Sequence, residues 1–527
     1  MINMKKLTKT DFILYKDCTK NVWLKWHMPD EYKKFEISEF EKALGVMGIE
    51  VENEARKLFP NGILVEGRDE KAQALTKKLI AEKTPVIFQA VFSTDKYLAA
   101  ADVLKWNDEA GMYDLYEIKM SSTDDEDEEE DDKPRKVNKK KERQFEHDIS
   151  FQTNVAKLCG INFNKKYLLR LNRDYVRYGA LNLNKLFEET DKTEILNPTF
   201  LSATLTEMES AYTYLSNTNM PAGHCDCFYK GRSAHCTTFS LSNPDAVGYT
   251  VHDLNRIGNS KNVLRALLDE GILNIEDVSE SDERLKPSKA KKGEPEKKAR
   301  KQNQVKVYRT KEPMIDYDAI RSELSSLIFP LYFLDYETYP TAIPPFDGYH
   351  PYQHIVFQYS LHILTEDMKL THEELLVIEG DPAGQIVAGL RKNIGNVGSV
   401  ISWYKKFENS RNKELAKLVP NEAEFLLGLV ARTYDLMDIV ENQHYVHHGF
   451  KGSSSIKKVQ PVLVPHLAYK ELVVRSGTDA IESYRQIVKG EITGKDLEQK
   501  KKDMLTYCKY DTEVMYEIWK FFKNLIQ

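Results

Sequence analysis

The segment SLIFPLYFLDYET, an apolar run that closes on two acids, constrains this chain more than any other. Such a run reads as a buried strand, and the strand's alternation then puts Asp335 and Glu337 on one face. Near the C-terminus, in TYCKYDTEVM, Tyr507 and Asp511 are four residues apart in a helix-like pattern, so a phenol and a carboxylate share one helical face. Carboxylates gathered around one point hold a pair of divalent ions, Mg²⁺ or Mn²⁺, which activate a water and stabilise the leaving oxygen of a phosphodiester. A tyrosine beside them can orient that water.

Length and charge set the frame for these motifs. A chain of 527 residues exceeds a single core, and at roughly 100–200 residues per domain it suggests about three parts. With 41% hydrophobic and 30% charged residues it reads as a globular protein with solvated linkers. No apolar stretch approaches the roughly 18 residues that span a bilayer, and MINMKKLTKTDF has no apolar signal core, so a cytoplasmic, non-membrane protein is expected. The net charge of −6 conceals blocks of opposite sign. Nine consecutive acids, Asp124 to Asp132, precede the basic KPRKVNKKKER, and Arg284 to Lys301 carries nine Lys or Arg against two Glu. Both stretches are too polar to order themselves and are expected to be mobile. The first reads as a loop inserted over 121–145, the second as a linker over 284–312.

A second constellation lies upstream. PVIFQAVFST, YLAAADVLKW and MYDLYEIKMSS read as adjacent strands flanked by helical patterns, an α/β layering. Glu117 and Lys119 share a strand face that Asp102 can join from its neighbour. Two acids suit a metal, and the ammonium of Lys119 suits an attacking hydroxide or a developing phosphorane charge. Gln152 follows on one helical segment and Glu52 precedes on another. Of the six cysteines, Cys18 stands alone early, Cys225, Cys227 and Cys236 cluster in GHCDCFYKGRSAHC, and Cys159 and Cys508 read as core thiols. A cytosolic chain is not expected to use these as disulfides.

The order of a helical acid, Asp, ExK and a helical Gln resembles the RecB-family nucleases of the PD-(D/E)xK superfamily, including CRISPR-associated members with an iron–sulfur cluster. That resemblance implies roles for Glu52, Asp102, Glu117, Lys119 and Gln152 in a restriction-endonuclease-like domain. It also implies a [4Fe–4S] staple on Cys18, Cys225, Cys227 and Cys236, with zinc as the alternative for four thiolates. The pattern departs from the family at Ala156, where a tyrosine is usual, and at the acidic insert directly after the ExK strand.

Asp335, Glu337, Tyr507 and Asp511 resemble the first and third motifs of DEDD exonucleases in their YxxxD subtype, as in the DnaQ-like superfamily. The resemblance implies a ribonuclease-H-like sheet, with strands LYFLDYE, IVFQYSLHIL and MKLTHEELLVI, the helix DPAGQIVAGLRKNIG and the strand SVISWY. Glu408 in ISWYKKFENS is the expected second-motif ligand, where an Asp is usual; Asp435 is the alternative, expected to orient the site from behind. Lys457 and Lys458 in GFKGSSSIKKVQPVL read as a phosphate-contacting loop.

The pairing of the two halves is similar to a bacterial family described mainly as a domain of unknown function. The expected organisation is a RecB-like nuclease domain over 1–245, a small helical piece over 246–283 with a helix-hairpin-helix rhythm turning at Gly271-Ile272, the linker over 284–312, and a DnaQ-like exonuclease domain over 313–527. The implied activity is metal-dependent hydrolysis of single-stranded DNA or DNA ends, in repair or in defence against foreign DNA. An RNA exonuclease, or a nucleic-acid-binding scaffold with one decayed site, is the alternative.

Overall fold

The computed structural model describes residues 5–35, 39–122, 138–287, 298–467, 474 and 476–527. The acidic run Asp124–Asp132 and the heart of the basic stretch, 288–297, lie outside them. The described chain packs as two compact α/β units. The first comprises Met1–Phe228, Cys236–Asn243 and Thr341–Gln353; the second comprises Tyr229–His235, Pro244–Pro340 and His354–Gln527. The division departs from a simple cut near residue 245, because the segment Thr341–Gln353 packs in the first unit. There Arg177 Nη1 donates to the carbonyls of Pro344 and Pro345, at 3.1 and 2.6 Å, and the Gly179 amide donates to Asp347 at 2.8 Å.

In the first unit the mixed sheet runs β1 (Ile63–Leu64), β2 (Val86–Ser93), β3 (Tyr97–Asn107), β4 (Met112–Ser122), β5 (Phe163–Leu171), β6 (Phe187–Asp191), with the short strand Leu7–Thr8 paired to β3. Strands β4 and β5 are parallel, and helix α1 (Lys139–Leu158) makes their crossover. Its start is fixed by Asn138, whose side chain accepts from the Lys141 amide at 3.2 Å. Phe145, Ile149, Phe151 and Val155 of α1 are buried with Ile87, Tyr97, Ala101 and Leu104 of the sheet. The acid-bearing β3 and β4 are thereby central strands, and α1 lies against one side of the sheet.

In the second unit the sheet order is β9-β8-β7-β10-β11, with β7 at Leu331–Pro340, β8 at His354–Leu364, β9 at Leu370–Leu376, β10 at Ser399–Ser402 and β11 at Thr433–Asp435. The first three are antiparallel; β10 and β11 run parallel with β7. Both faces of β7 are covered, which explains its continuous apolar run. Tyr332, Leu334 and Tyr336 belong to one core with Val387, Leu390 and Leu429. Leu331 and Phe333 belong to the other, with Ile518, Trp519 and Phe522 of helix α2 (Gly494–Leu525). Asp335 and Glu337 continue the Leu331–Phe333 face and so point toward α2.

Three expectations differ from the structure. Of the inserted loop expected over 121–145, Ser121 and Ser122 close β4 and Lys139–Phe145 open α1. Residues Arg300–Thr310, placed in a mobile linker, form a helix. Val305 and Val307 are buried, and Gln304 bonds the Tyr249 hydroxyl, the Asp253 carbonyl and the Asn255 amide, so apolar burial and satisfied polar groups outweigh the basic composition. In place of two helices about Gly271, one helix, Lys261–Asp269, ends where Gly271 takes φ +77°, a left-handed cap that glycine adopts without strain. The second helix of the expected pair is replaced by a single 3₁₀ turn, Ile275–Asp277.

Candidate functional site

The second unit gathers its acids where β7 meets α2. Helix α2 buries a stripe at helical spacing, Met504, Tyr507, Cys508, Thr512, Met515, Trp519 and Phe522, and that stripe faces the sheet. Polar side chains set its depth and rotation. Gln358 donates to the Met504 carbonyl at 3.0 Å, and the Thr512 hydroxyl meets Ser360 at 2.7 Å and His362 Nδ1 at 2.8 Å. Asp335, Glu337 and Cys508 each offer a ligand atom within 4.8 Å of the other two. Burial, with the charge of Asp511, pushes the Asp335 carboxyl well above the ordinary range. Burial first, then Asp335 and Asp511, does the same to Glu337, with Lys457 working against them. Asp511 therefore belongs to the same electrostatic cluster, and Tyr507 is buried on the same helix.

Glu408 joins this group. It is buried near the start of the helix Lys405–Leu418, and burial, then Asp335, raises its carboxyl well above the usual range. Its Oε2 is buried with no hydrogen-bond partner. Asp435 has a different position. Its oxygens accept the Tyr404 and Lys405 amides, both at 2.8 Å, and the Met437 amide at 3.1 Å. It thus holds the start of the helix that carries Glu408. Lys457 and Lys458, expected on a loop, are exposed residues in the first turn of the helix Ile456–Leu463.

Four buried or half-buried carboxylates and an orphaned carboxylate oxygen fit a divalent ion, since carboxylates so crowded need a cation to remain ionised together. Asp335, Glu337, Glu408 and Asp511 are the residues that would hold it.

The imidazoles behind α2 give a pH signature. Burial, with the neighbouring His372, lowers His362 to about 3, and burial lowers His372 to about 4. Both lie below the ordinary value near 6.5, so the unfolded chain takes up protons before the folded one. Their contribution to stability is whole above about pH 6.5 and is lost as pH falls toward 4. Chemical denaturation of the wild type and His362→Asn at pH 7 and pH 5 is expected to show a smaller acid loss in the variant. Equal losses would remove His362 from this role.

In the first unit the expected residues do come together, in a different bonding state. The Lys119 ammonium lies 2.8 Å from Glu117 Oε1 and 2.5 Å from Asp148 Oδ2. Lys9, which the sequence did not flag, reaches the same Glu117 oxygen at 2.6 Å. Gln152 Nε2 donates to Glu117 Oε2. Asp102 accepts the Ile118 amide at 2.9 Å and Gln89 Nε2 at 3.1 Å; that same nitrogen reaches Glu52 at 2.5 Å, and Arg56 also bonds Glu52. Gln89 takes φ +55° within β2, a costly conformation for a residue with a side chain. Burial, with Glu117, raises Asp102 to about 7. Burial opposes ionisation of Glu117, yet Lys119 and Lys9 outweigh it and hold that carboxyl below the ordinary range. Glu52, Asp102 and Glu117 do not form a close three-ligand set among the described residues. An ion here would have to displace Lys9, Lys119 or Gln152 from Glu117, so the arrangement does not fit a metal as it stands.

Cys18, Cys225, Cys227 and Cys236 place all four sulfurs within 4.8 Å of one another, with Cys225 and Cys236 at 3.9 Å. Asn243 Nδ2 donates to Cys225 Sγ at 3.2 Å, and the Asn21 side-chain carbonyl holds Thr238 at 2.7 Å. The donor set fits a soft metal. The Cys225–Cys236 separation is close to the edge of a tetrahedron of sulfurs around one ion, about 3.8 Å for sulfur bonds of about 2.3 Å. A [4Fe–4S] cluster binds its four thiolates to four different irons, so these sulfurs would have to part to receive it. Cys159 donates to the Ser93 carbonyl at 3.4 Å, outside this group.

A family described as Domain of unknown function (DUF2779) matches residues 332–455 of the chain. The match takes in Asp335, Glu337, Glu408 and Asp435 and ends before Tyr507 and Asp511. No curated protein matches the chain. Among the described residues, no helix is long and apolar enough to cross a membrane.

Proposed function

We propose that the second unit is a metal-dependent 3′-to-5′ exonuclease of the DnaQ-like, YxxxD type, acting on DNA ends or single strands. The observation that carries this reading is the convergence of Asp335, Glu337, Glu408 and Asp511 beside the buried Tyr507. The order of antiparallel and parallel strands agrees with a ribonuclease-H-like sheet. Bound divalent ions would supply Lewis-acid activation of water and stabilise the leaving oxygen. Asp335, on the strand, and Asp511, on the helix, would hold those ions from two sides. Glu408 closes the site from a third element. Tyr507 orients the attacking water, and Lys457 lends positive charge toward Glu337 where phosphate arrives.

For the first unit the reading is a RecB-like nuclease domain whose two ends are tied by a four-thiolate metal centre. One observation favours the alternative of a nucleic-acid-binding scaffold there: both Glu117 oxygens are already bonded by Lys9, Lys119 and Gln152.

The test is a product ladder from 5′-labelled and 3′-labelled single strands, DNA and RNA, with Mg²⁺ or Mn²⁺. Shortening from the 3′ end of DNA is expected; degradation confined to RNA would reassign the substrate, and no cleavage of either would reject the enzyme. On the same substrates, Lys119→Ala is expected to remove any cleavage that survives loss of Asp335. A Lys119→Ala chain that retains such cleavage would exclude the first unit's site.

A further inference from the structure

Cys508 lies between Tyr507 and Asp511 on α2, with its thiol against the acids of β7. It is fully buried, and its Sγ sits 3.8 Å from Asp335 Oδ2 and 4.0 Å from the Asp335 carbonyl. With Asp335 and Glu337 it completes a set whose ligand atoms all lie within 4.8 Å. Glu408 supplies a second, independent observation: it is 3% exposed, its Oε2 has no hydrogen-bond partner, and of the charges acting on it that of Asp335 is the largest.

We propose that Cys508 is a metal ligand of the second unit, giving this carboxylate site a sulfur donor and a preference for thiophilic divalent ions, Zn²⁺, Co²⁺ or Cd²⁺. The inference rests on reading the carboxylates as a metal site. Hard ions such as Mg²⁺ take oxygen donors and gain little from a thiol, whereas zinc-like ions bind thiolate strongly and also stand higher in the general affinity order. As the sulfur–metal bond forms, the thiol proton leaves to solvent, so binding of the soft ion strengthens as pH rises. A zinc ion seated through Cys508, Asp335 and Glu337 excludes the hard ion from the position hydrolysis needs. The site therefore responds to free zinc as an inhibitor.

The test is Co²⁺ titration of the full chain, followed by its sulfur-to-cobalt charge-transfer absorption. Wild type and Cys508→Ser differ at one thiol, so absorption from the four-cysteine centre cancels in their difference. A difference band is expected in wild type, and Asp335→Asn should also lose it, because the band requires the carboxylate as well as the sulfur. By competition, Cys508→Ser is expected to weaken Zn²⁺ binding about tenfold more than Mn²⁺ binding. A merely structural thiol would move both ions equally. Cys508→Ala gives the same comparison should the serine variant fold poorly. No difference band, with Mn²⁺-dependent hydrolysis intact, overturns the sulfur ligand alone; no ion binding and no hydrolysis overturns the metal site beneath it.

Discussion

Asp335→Asn is expected to lower 3′-to-5′ degradation by on the order of 10³-fold or more, while the metal-free protein melts at a higher temperature than wild type. The two effects have one cause. The side chain keeps its shape but sheds a charge from a buried group in which Asp335, Glu337, Glu408 and Asp511 act on one another. Raised carboxyl groups stabilise the fold while they are protonated. That contribution is lost as pH climbs from the ordinary carboxyl range through their folded values. The variant should therefore gain most over wild type in chelator at neutral and alkaline pH. Glu408→Gln should behave in the same way. Asp435→Asn should not, because Asp435 spends its oxygens on three backbone amides, and its loss should appear as lower stability. Rates from 3′ ends, with thermal melts in chelator, check the set. Full activity in Asp335→Asn would remove the site from the chemistry, and activity lost in Asp435→Asn but kept in Glu408→Gln would transfer the ligand role.

The parts of this site legible in the sequence are those with a local period. Asp335 and Glu337 follow from alternation along an apolar strand, and Tyr507 with Asp511 from a helical repeat. Cys508 had a signal of the same kind, three residues before Asp511 and so on the same helical side, but a small apolar thiol in a buried stripe reads first as packing. Asp435 sits in the apolar segment VARTYDLMDIV, where nothing announces that the backbone amides of Tyr404 and Lys405 will point at it. Lys9 lies 108 residues from Glu117, and no local pattern predicts an ion pair across that separation. The same holds for Asp148 and Gln89, which face the ExK strand and its neighbour only once the sheet and α1 are assembled. Composition misled once: Arg300–Thr310 is basic, and Val305 and Val307, two residues apart, do not share a helical face, so no apolar stripe announced that both would be buried.

Cys225→Ser is expected to strip the metal from the first unit and to cost on the order of 4 kcal/mol of its stability or more, the scale reached when a structural metal is lost. The four thiols join segments far apart in sequence, Cys18 at the junction of the helices Lys9–Asp17 and Thr19–His27, the other three in a stretch with little regular structure of its own. Protein contacts already support that stretch: Lys20 donates to the Gly223 carbonyl at 2.6 Å, and Asp226 accepts the Thr19 amide at 2.7 Å and its hydroxyl at 2.8 Å. These bonds are exposed or half-buried, so they position the thiols but do not replace the metal bonds. Cys18→Ser should match Cys225→Ser, because either loss opens the tie between the same two segments, whereas Cys159→Ser should retain the metal. Metal analysis of anaerobically purified wild type decides the occupant. One zinc per chain and no colour would match the sulfur spacing, and a brown protein with four irons would mean that the thiols open to take a cluster. Wild type free of both metals, or Cys225→Ser as stable as wild type, would show that the four cysteines are packing residues.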